Sequence, residues 1–217
     1  RTVPLVTVKP KPVYLLKRGL KLIIWINGAF GSGKTTCAYE LNRRVPNSFV
    51  YDPEKTGYFI RRNTPVEIHN SDFQDLEQWR LFNYEMLKYL SAAYDGVIIA
   101  PMTINNRRYY DEIIGRLIDD GIAVKHYILY ADRAAIEKRL SKRLERSKSW
   151  ASERIDCCIE AFNSTITEEK IITDYMSIDD VVEEIARRSG LTLASDNRNQ
   201  LKKYIDRITT SFRHIRI

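Results

Sequence analysis

Hydrophobic and polar positions fall into alternating blocks of two kinds. Short apolar runs occur at 22–26, 48–51, 97–101, 124–130 and 170–173. They are rich in β-branched residues and read as strands, most of them buried on both faces. Between them lie stretches with helical spacing. In 77–94, Leu81, Phe82, Met86, Leu87 and Leu90 recur at a helical period. Residues 109–120 form a second such stretch, stopped by Gly121. Asp132 is an N-cap for a helix reaching Arg146, residues 150–162 form another, and Ser177 with Asp180 opens a capping box for a helix through Arg188. No internal repeat is present. Strands alternating with helices predict an α/β chain: three layers, with a five-stranded parallel sheet flanked by helices.

One junction in this pattern carries chemistry. The run Leu22 to Ile26 leads into Gly28-Ala29-Phe30-Gly31-Ser32-Gly33-Lys34-Thr35, and from Thr36 the sequence favours helix. Gly, four residues, Gly, Lys, Thr is the P-loop spacing, here in its strand–loop–helix setting. Glycines let the backbone curl with its N–H groups inward, and the helix N-terminus adds positive partial charge where phosphates sit. Gly28 to Thr36 are therefore the expected ATP-binding residues. Lys34 reaches the β- and γ-phosphates, and the Thr35 hydroxyl takes a Mg²⁺ position. A glycine turn without a ligand is the bland alternative.

Composition narrows the class. The 217 residues hold 44% hydrophobic and 29% charged side chains, a globular balance with no run of membrane-spanning length. The N-terminal stretch has Pro4, Pro10 and Pro12 and no signal-peptide pattern, and reads as an arm or an appended extension over 1–20. A P-loop kinase-like domain follows over 21–190, with a lid at about 139–156, and 191–217 is a C-terminal amphipathic helix. Cys37, Cys157 and Cys158 have no metal or redox spacing, which suits a reducing cytoplasm. The net charge of +7 suits nucleic acid, anionic membrane or polyphosphate substrates alike.

Further candidates follow from position. Asp52 ends the second strand, ahead of Pro53, where an acid can orient an acceptor hydroxyl and take its proton; capping the turn is its structural alternative. Residues 97–103 end without an acid, so Asp52 is also a candidate to hold the metal through water. Arg139, Arg143 and Arg146 share one helix face, and Arg154 follows; Arg139, Arg143 and Arg154 are candidates to close on the triphosphate. Arg61, Arg62, Asp72, Phe73, Trp79, Arg80, Asn83 and Tyr84 fill the region where an acceptor would sit. Of these Arg61, Trp79, Arg80 and Asn83, with Thr103, are the expected substrate-binding residues. His69, His126 and His214 have no partner at useful spacing.

The blocks IIWINGAFGSGKT, YDPEKTGY, DFQDLEQWRLFNY, APMTI, EIIGRL, SWASERIDCC and FRHIRI together resemble the bacterial tunicamycin-resistance ATP-binding proteins, from about Lys21 to Ile217. The resemblance implies a cytosolic ATP-binding protein that protects against tunicamycin, a nucleoside antibiotic bearing sugars and a fatty acyl chain. It also implies kinship with nucleoside and shikimate kinases and chloramphenicol phosphotransferases. By that likeness the P-loop binds ATP, Asp52 matches the acceptor-activating acid, and Arg139 to Arg154 match the lid. The missing acid after the third strand is a departure.

Three readings result: an ATP-dependent kinase acting on tunicamycin or another nucleoside or sugar, a protein that sequesters the drug and uses ATP without transfer, and an NTPase stimulated by nucleic acid, which only the charge suggests. No nucleic-acid partner is expected. The tail places Leu201, Tyr204, Ile205, Ile208, Phe212 and Ile215 along one face with Lys202, Lys203, Arg207 and Arg213 elsewhere, a pattern suited to peripheral contact with an anionic membrane.

Overall fold

The computed structural model describes residues 21–141 and 148–214, with the side chains of 148–153 and 211–214 outside that description. Five strands, β1 (Leu22–Gly28), β2 (Ser48–Val50), β3 (Val97–Pro101), β4 (Val124–Tyr130) and β5 (Glu169–Ile172), pair in the order β2-β3-β1-β4-β5. Every pairing is parallel. β1 lies at the centre because its seven residues are all buried. Ile23 and Trp25 point to one face, with Ile98, Ala100 and Ile128. Leu22, Ile24 and Ile26 point to the other, with Val97, Ile99, Tyr127 and Leu129. This alternation builds the two apolar layers that helices on both sides cover.

The helices are α1 (Lys34–Arg44), α2 (Glu54–Arg62), α3 (Glu77–Ala93), α4 (Arg107–Tyr110, a π turn over Asp111–Gly115, then Arg116–Asp119), α5 (Arg133–Ser141), α6 (Lys148–Ser164), α7 (Ile178–Ser189) and α8 (Gln200–His214). Residues of α1 and α7 fill one layer, and residues of α3, α4 and α6 the other. The capping box at Ser177 and Asp180 forms as expected, and Gly190 ends α7 in the left-handed conformation. The extension of α5 to Arg146 lies outside the described residues.

Two elements differ from the sequence reading. No element was read over 54–62, where α2 forms with Gly57, a poor helix former, at its middle. A Cβ at Gly57 would meet the Phe73 ring at 2.4 Å, so the glycine is required by that packing. In α3 the apolar period coincides with the buried side only in part: Leu87 is buried and Leu90 packs against the core, Leu81 and Phe82 are exposed, and Trp79, Arg80, Asn83 and Tyr84 complete the inward face.

Candidate functional site

The crevice lies beyond the C-terminal ends of the parallel strands, where β1 meets α1. Gly28, Gly31 and Gly33 all have positive φ (146°, 82° and 95°). Gly28 also has no room for a side chain, since a Cβ would lie 2.6 Å from Ser32 Oγ and 2.7 Å from the Leu129 carbonyl oxygen. Gly33 is the N-cap of α1, no side chain caps that end, and its first turn contains no acid. Its N–H groups and the dipole they sum to are therefore offered to an anion. The Ser32 hydroxyl is buried and has no hydrogen-bond partner among the described residues. Lys34 Nζ donates to the Ala29 carbonyl at 3.0 Å and stands 5.7 Å from the Phe30 ring centroid. A curled backbone, a helix end without a cap, a buried hydroxyl and an ammonium group fit a chain of phosphates. Thr35, half-buried in the first turn of α1, has the hydroxyl that a hard cation beside those phosphates would take.

The loop is fixed at its first residue. Asn27 Oδ1 accepts from the N–H groups of Gly28 (2.8 Å) and Ile104 (3.0 Å), which leaves its amide nitrogen to donate to the Ile104 carbonyl (2.8 Å) and His126 Nε2 (3.1 Å). The Thr103 hydroxyl donates to the Gly28 carbonyl at 2.8 Å. Both polar backbone groups of Gly28 are thus held by side chains. Thr103, expected at the substrate, is 7% exposed and instead supports the loop from behind.

Asp52 follows β2 at the same edge of the sheet. Its Oδ1 accepts from the Glu54 N–H at 3.1 Å, the turn-capping bond that Asp commonly makes. The expectation that Trp79, Arg80 and Asn83 touch an acceptor is not met, because they are 0%, 3% and 0% exposed. Trp79 Nε1 donates to the Pro53 carbonyl at 3.0 Å, and Asn83 Oδ1 accepts from the Tyr51 hydroxyl at 2.8 Å. Arg80 pairs with Glu112, donates to the Gln74 carbonyl at 2.6 Å and stacks 4.5 Å from the Tyr109 ring centroid. The group braces the turn that carries Asp52. Arg61 likewise holds the carbonyls of Asn70 (3.1 Å) and Ser71 (2.9 Å) and lies over the Phe73 ring.

The arginine candidates separate. Arg139 donates to Thr173 Oγ1 (3.1 Å) and to the Thr173 carbonyl (2.6 Å), which ties α5 to the end of β5. Arg143 and Arg146 lie outside the described residues. Arg154 crosses from α6 to Asp72, Nη1 to Oδ2, at 2.6 Å. Cys158, one turn further along α6, is pushed up to about 11 by burial, opposed by the nearby charges of Lys34 and Arg154. α5 covers the loop: a Cβ at Gly31 would lie 2.9 Å from Leu140.

No protein-family model matches the chain, and no curated protein does. Among solved structures, the tunicamycin resistance protein of Deinococcus radiodurans is 31% identical, with a TM-score of 0.70 over 80% of this chain and 98% of that one. The chain belongs to the tunicamycin-resistance protein family. A gluconokinase from Sinorhizobium meliloti (15% identity, TM-score 0.56, 80% and 96% of the two chains) and a shikimate kinase from Bacteroides thetaiotaomicron (17%, 0.54, 78% and 99%) share the P-loop kinase fold with this family member.

Two features of this family member lay outside the sequence reading. His126, assigned no role, is 8% exposed and accepts from Asn27; burial lowers its pKa to about 3, so the ring is neutral with its Nδ1 proton facing Glu168, 3.8 Å away. On the neighbouring strand His126 pairs in register with Trp25, two residues before Asn27, a placement that only the folded sheet creates. α8 docks by its charged side. Arg198 pairs with Glu40 of α1, and Lys203 and Arg207 pair with Asp179 at 3.4 and 2.8 Å. The carboxylates of Glu40, Asp179 and Asp196 converge within 4.8 Å, but these three cations neutralise them. Leu201, Tyr204 and Ile205 face outward, 66%, 63% and 48% exposed. Phe212 and Ile215, assigned to the same face, lie outside the described side chains. Among the described residues no helix is long and apolar enough to cross a membrane.

Proposed function

We propose that this protein binds ATP at Gly28 to Thr36 and transfers the γ-phosphoryl group to a hydroxyl of tunicamycin or a similar nucleoside-type acceptor. The observation that carries the reading is the phosphate cradle itself: three positive-φ glycines, an α1 N-terminus without a side-chain cap and the buried Ser32 hydroxyl, with Lys34 beside them. Family membership selects the drug as the first acceptor to test.

In this reading Lys34 leaves the Ala29 carbonyl for the phosphates, and Asp52 orients the acceptor hydroxyl and takes its proton. Arg154 meets the charge on the transferred group. Arg139 keeps α5 in place through Thr173. The Thr35 hydroxyl, and Asp52 through a water, would hold a Mg²⁺ ion, which would neutralise charge on the phosphate oxygens.

A second reading has its own support. Asp52 caps the Glu54 N–H, and residues 97–103 contain no acid, so a protein that sequesters the drug and uses ATP only as a structural ligand also suits the site. ADP release measured with tunicamycin and a panel of nucleosides and sugars separates the two. Phosphotransfer predicts acceptor-dependent ADP release that Asp52→Asn abolishes while ATP binding survives. Sequestration predicts drug binding without ADP release and no effect of Asp52→Asn.

We also propose that the outward stripe Leu201, Tyr204 and Ile205 rests on an anionic membrane, supported by the apolar exposure and the net charge of +7.

A further inference from the structure

His126 lies on β4, buried, and takes no part in the chemistry proposed above. Its Nε2 is 3.1 Å from Asn27 Nδ2, and Asn27 directly precedes Gly28. The other bonds of Asn27 determine what that contact is. Its Oδ1 takes two backbone N–H groups, those of Gly28 (2.8 Å) and Ile104 (3.0 Å), so the other end of the amide is the nitrogen. That nitrogen gives one hydrogen to the Ile104 carbonyl at 2.8 Å and has the second for His126. Nε2 is therefore a bare acceptor, and the neutral ring carries its proton on Nδ1. Nδ1 and Glu168 Oε2 lie 3.8 Å apart, and neither has a hydrogen-bond partner among the described residues. A carboxylate there favours the tautomer with the proton on its side. Arg107 stands 3.6 Å from the other Glu168 oxygen, and the Tyr110 ring lies 5.3 Å from the imidazole, centroid to centroid.

We infer that His126 is a positioning residue for the phosphate loop: by taking the last hydrogen of Asn27, it locks the amide that holds Gly28. The inference rests on the reading of Gly28 to Thr36 as the ATP site. Gly28 has a φ of 146°, which side chains rarely adopt, and its N–H is held by Asn27. Asn27 is 0% exposed, so water does not replace the imidazole as acceptor. Without that acceptor, the amide keeps Gly28 and Ile104 only by leaving one of its own N–H bonds buried and unpaired. Rotating the side chain relieves that N–H but releases Gly28. The folded protein then spreads over loop conformations, and ATP affinity falls with the fraction that still fits phosphate. The Gly28 carbonyl stays on Thr103 at 2.8 Å, so the loop is loosened and not lost.

His126→Leu removes the acceptor, and His126→Gln puts one back. Calorimetry of the full chain with a non-hydrolysable ATP analogue at neutral pH should show about tenfold weaker binding in His126→Leu. Binding in His126→Gln should stay within about twofold of wild type. Wild-type affinity in His126→Leu, or an equal loss in both variants, would overturn the inference. A packing role alone would lower the urea midpoint and leave the affinity of the folded variants unchanged. Two NMR readings do not depend on nucleotide. The Gly28 and Ile104 amide resonances should move in His126→Leu and return in His126→Gln; resonances that stay in place in His126→Leu overturn the inference. The isotope-labelled imidazole of the wild-type protein should carry its proton on Nδ1, and a proton on Nε2 overturns the inference even if His126→Leu does not fold. If the ATP analogue does not bind the wild-type chain, the ATP reading fails, while the two NMR readings still decide whether His126 holds Asn27.

Discussion

Trp79 donates its indole N–H to the carbonyl of Pro53, 3.0 Å away and 26 residues earlier in the chain. The bond joins the buried face of α3 to the turn after β2, which carries Asp52. Trp79→Phe keeps most of the ring and removes the donor. It should cost about 1–3 kcal/mol in urea unfolding, because the Pro53 carbonyl is left without its partner. Turnover should fall while ATP affinity measured by calorimetry holds. Equal losses in both would place Trp79 in general stability alone.

Gly28 tests the phosphate cradle. A methyl group there meets the Leu129 carbonyl, a backbone atom that cannot rotate away, at a φ that L side chains rarely adopt. Strain of about 1–3 kcal/mol should appear in Gly28→Ala as roughly ten- to hundredfold weaker ATP binding. Wild-type affinity would mean that the loop does not hold the phosphates.

His126 sets an acid limit on stability. Its folded pKa of about 3 lies below the ordinary value of 6.5, because burial disfavours the charged ring. The unfolded chain therefore binds the extra proton, and stability present above pH 6.5 is lost as pH falls towards 3, at about 1.4 kcal/mol per pH unit. Glu168 faces the ring at 3.8 Å and is itself opposed by Arg107 at 3.6 Å. Urea titrations between pH 6.5 and 5 should show this slope, and His126→Gln, which can still accept from Asn27, should flatten it. An equal slope in the variant would remove His126 from the account.

The outward face of α8 is tested on vesicles. Replacing Leu201, Tyr204 and Ile205 by serine should leave the ion pairs to Glu40 and Asp179 intact. Co-sedimentation with anionic vesicles should then fall severalfold, as it should on deleting 196–217. Unchanged co-sedimentation would rule out the membrane contact.

Much of the architecture was legible because it depends on local signals. Apolar runs flanked by breakers gave all five strands, and the glycine spacing placed the P-loop between β1 and α1. The acceptor side was misread for a physical reason. Composition alone does not distinguish arginines and aromatics that face a ligand from those that satisfy one another, and Arg80 and Trp79 are spent on Glu112, Gln74 and Pro53. Thr103 was misassigned in the same way, since its partner is the Gly28 carbonyl, 75 residues earlier. The buried side of α3 was legible only in part, because Arg80 and Asn83 share it with Trp79, Tyr84 and Leu87. The pairing of Arg154 with Asp72 joins elements that only the folded sheet brings together.

The most direct test of the central claim is mass spectrometry of tunicamycin after incubation with the protein, ATP and Mg²⁺, alongside Lys34→Ala and Asp52→Asn. Phosphoryl transfer predicts that the drug gains the mass of one phosphoryl group and that both variants leave it unchanged. Tunicamycin that binds yet keeps its mass with the wild-type protein would contradict transfer to the drug.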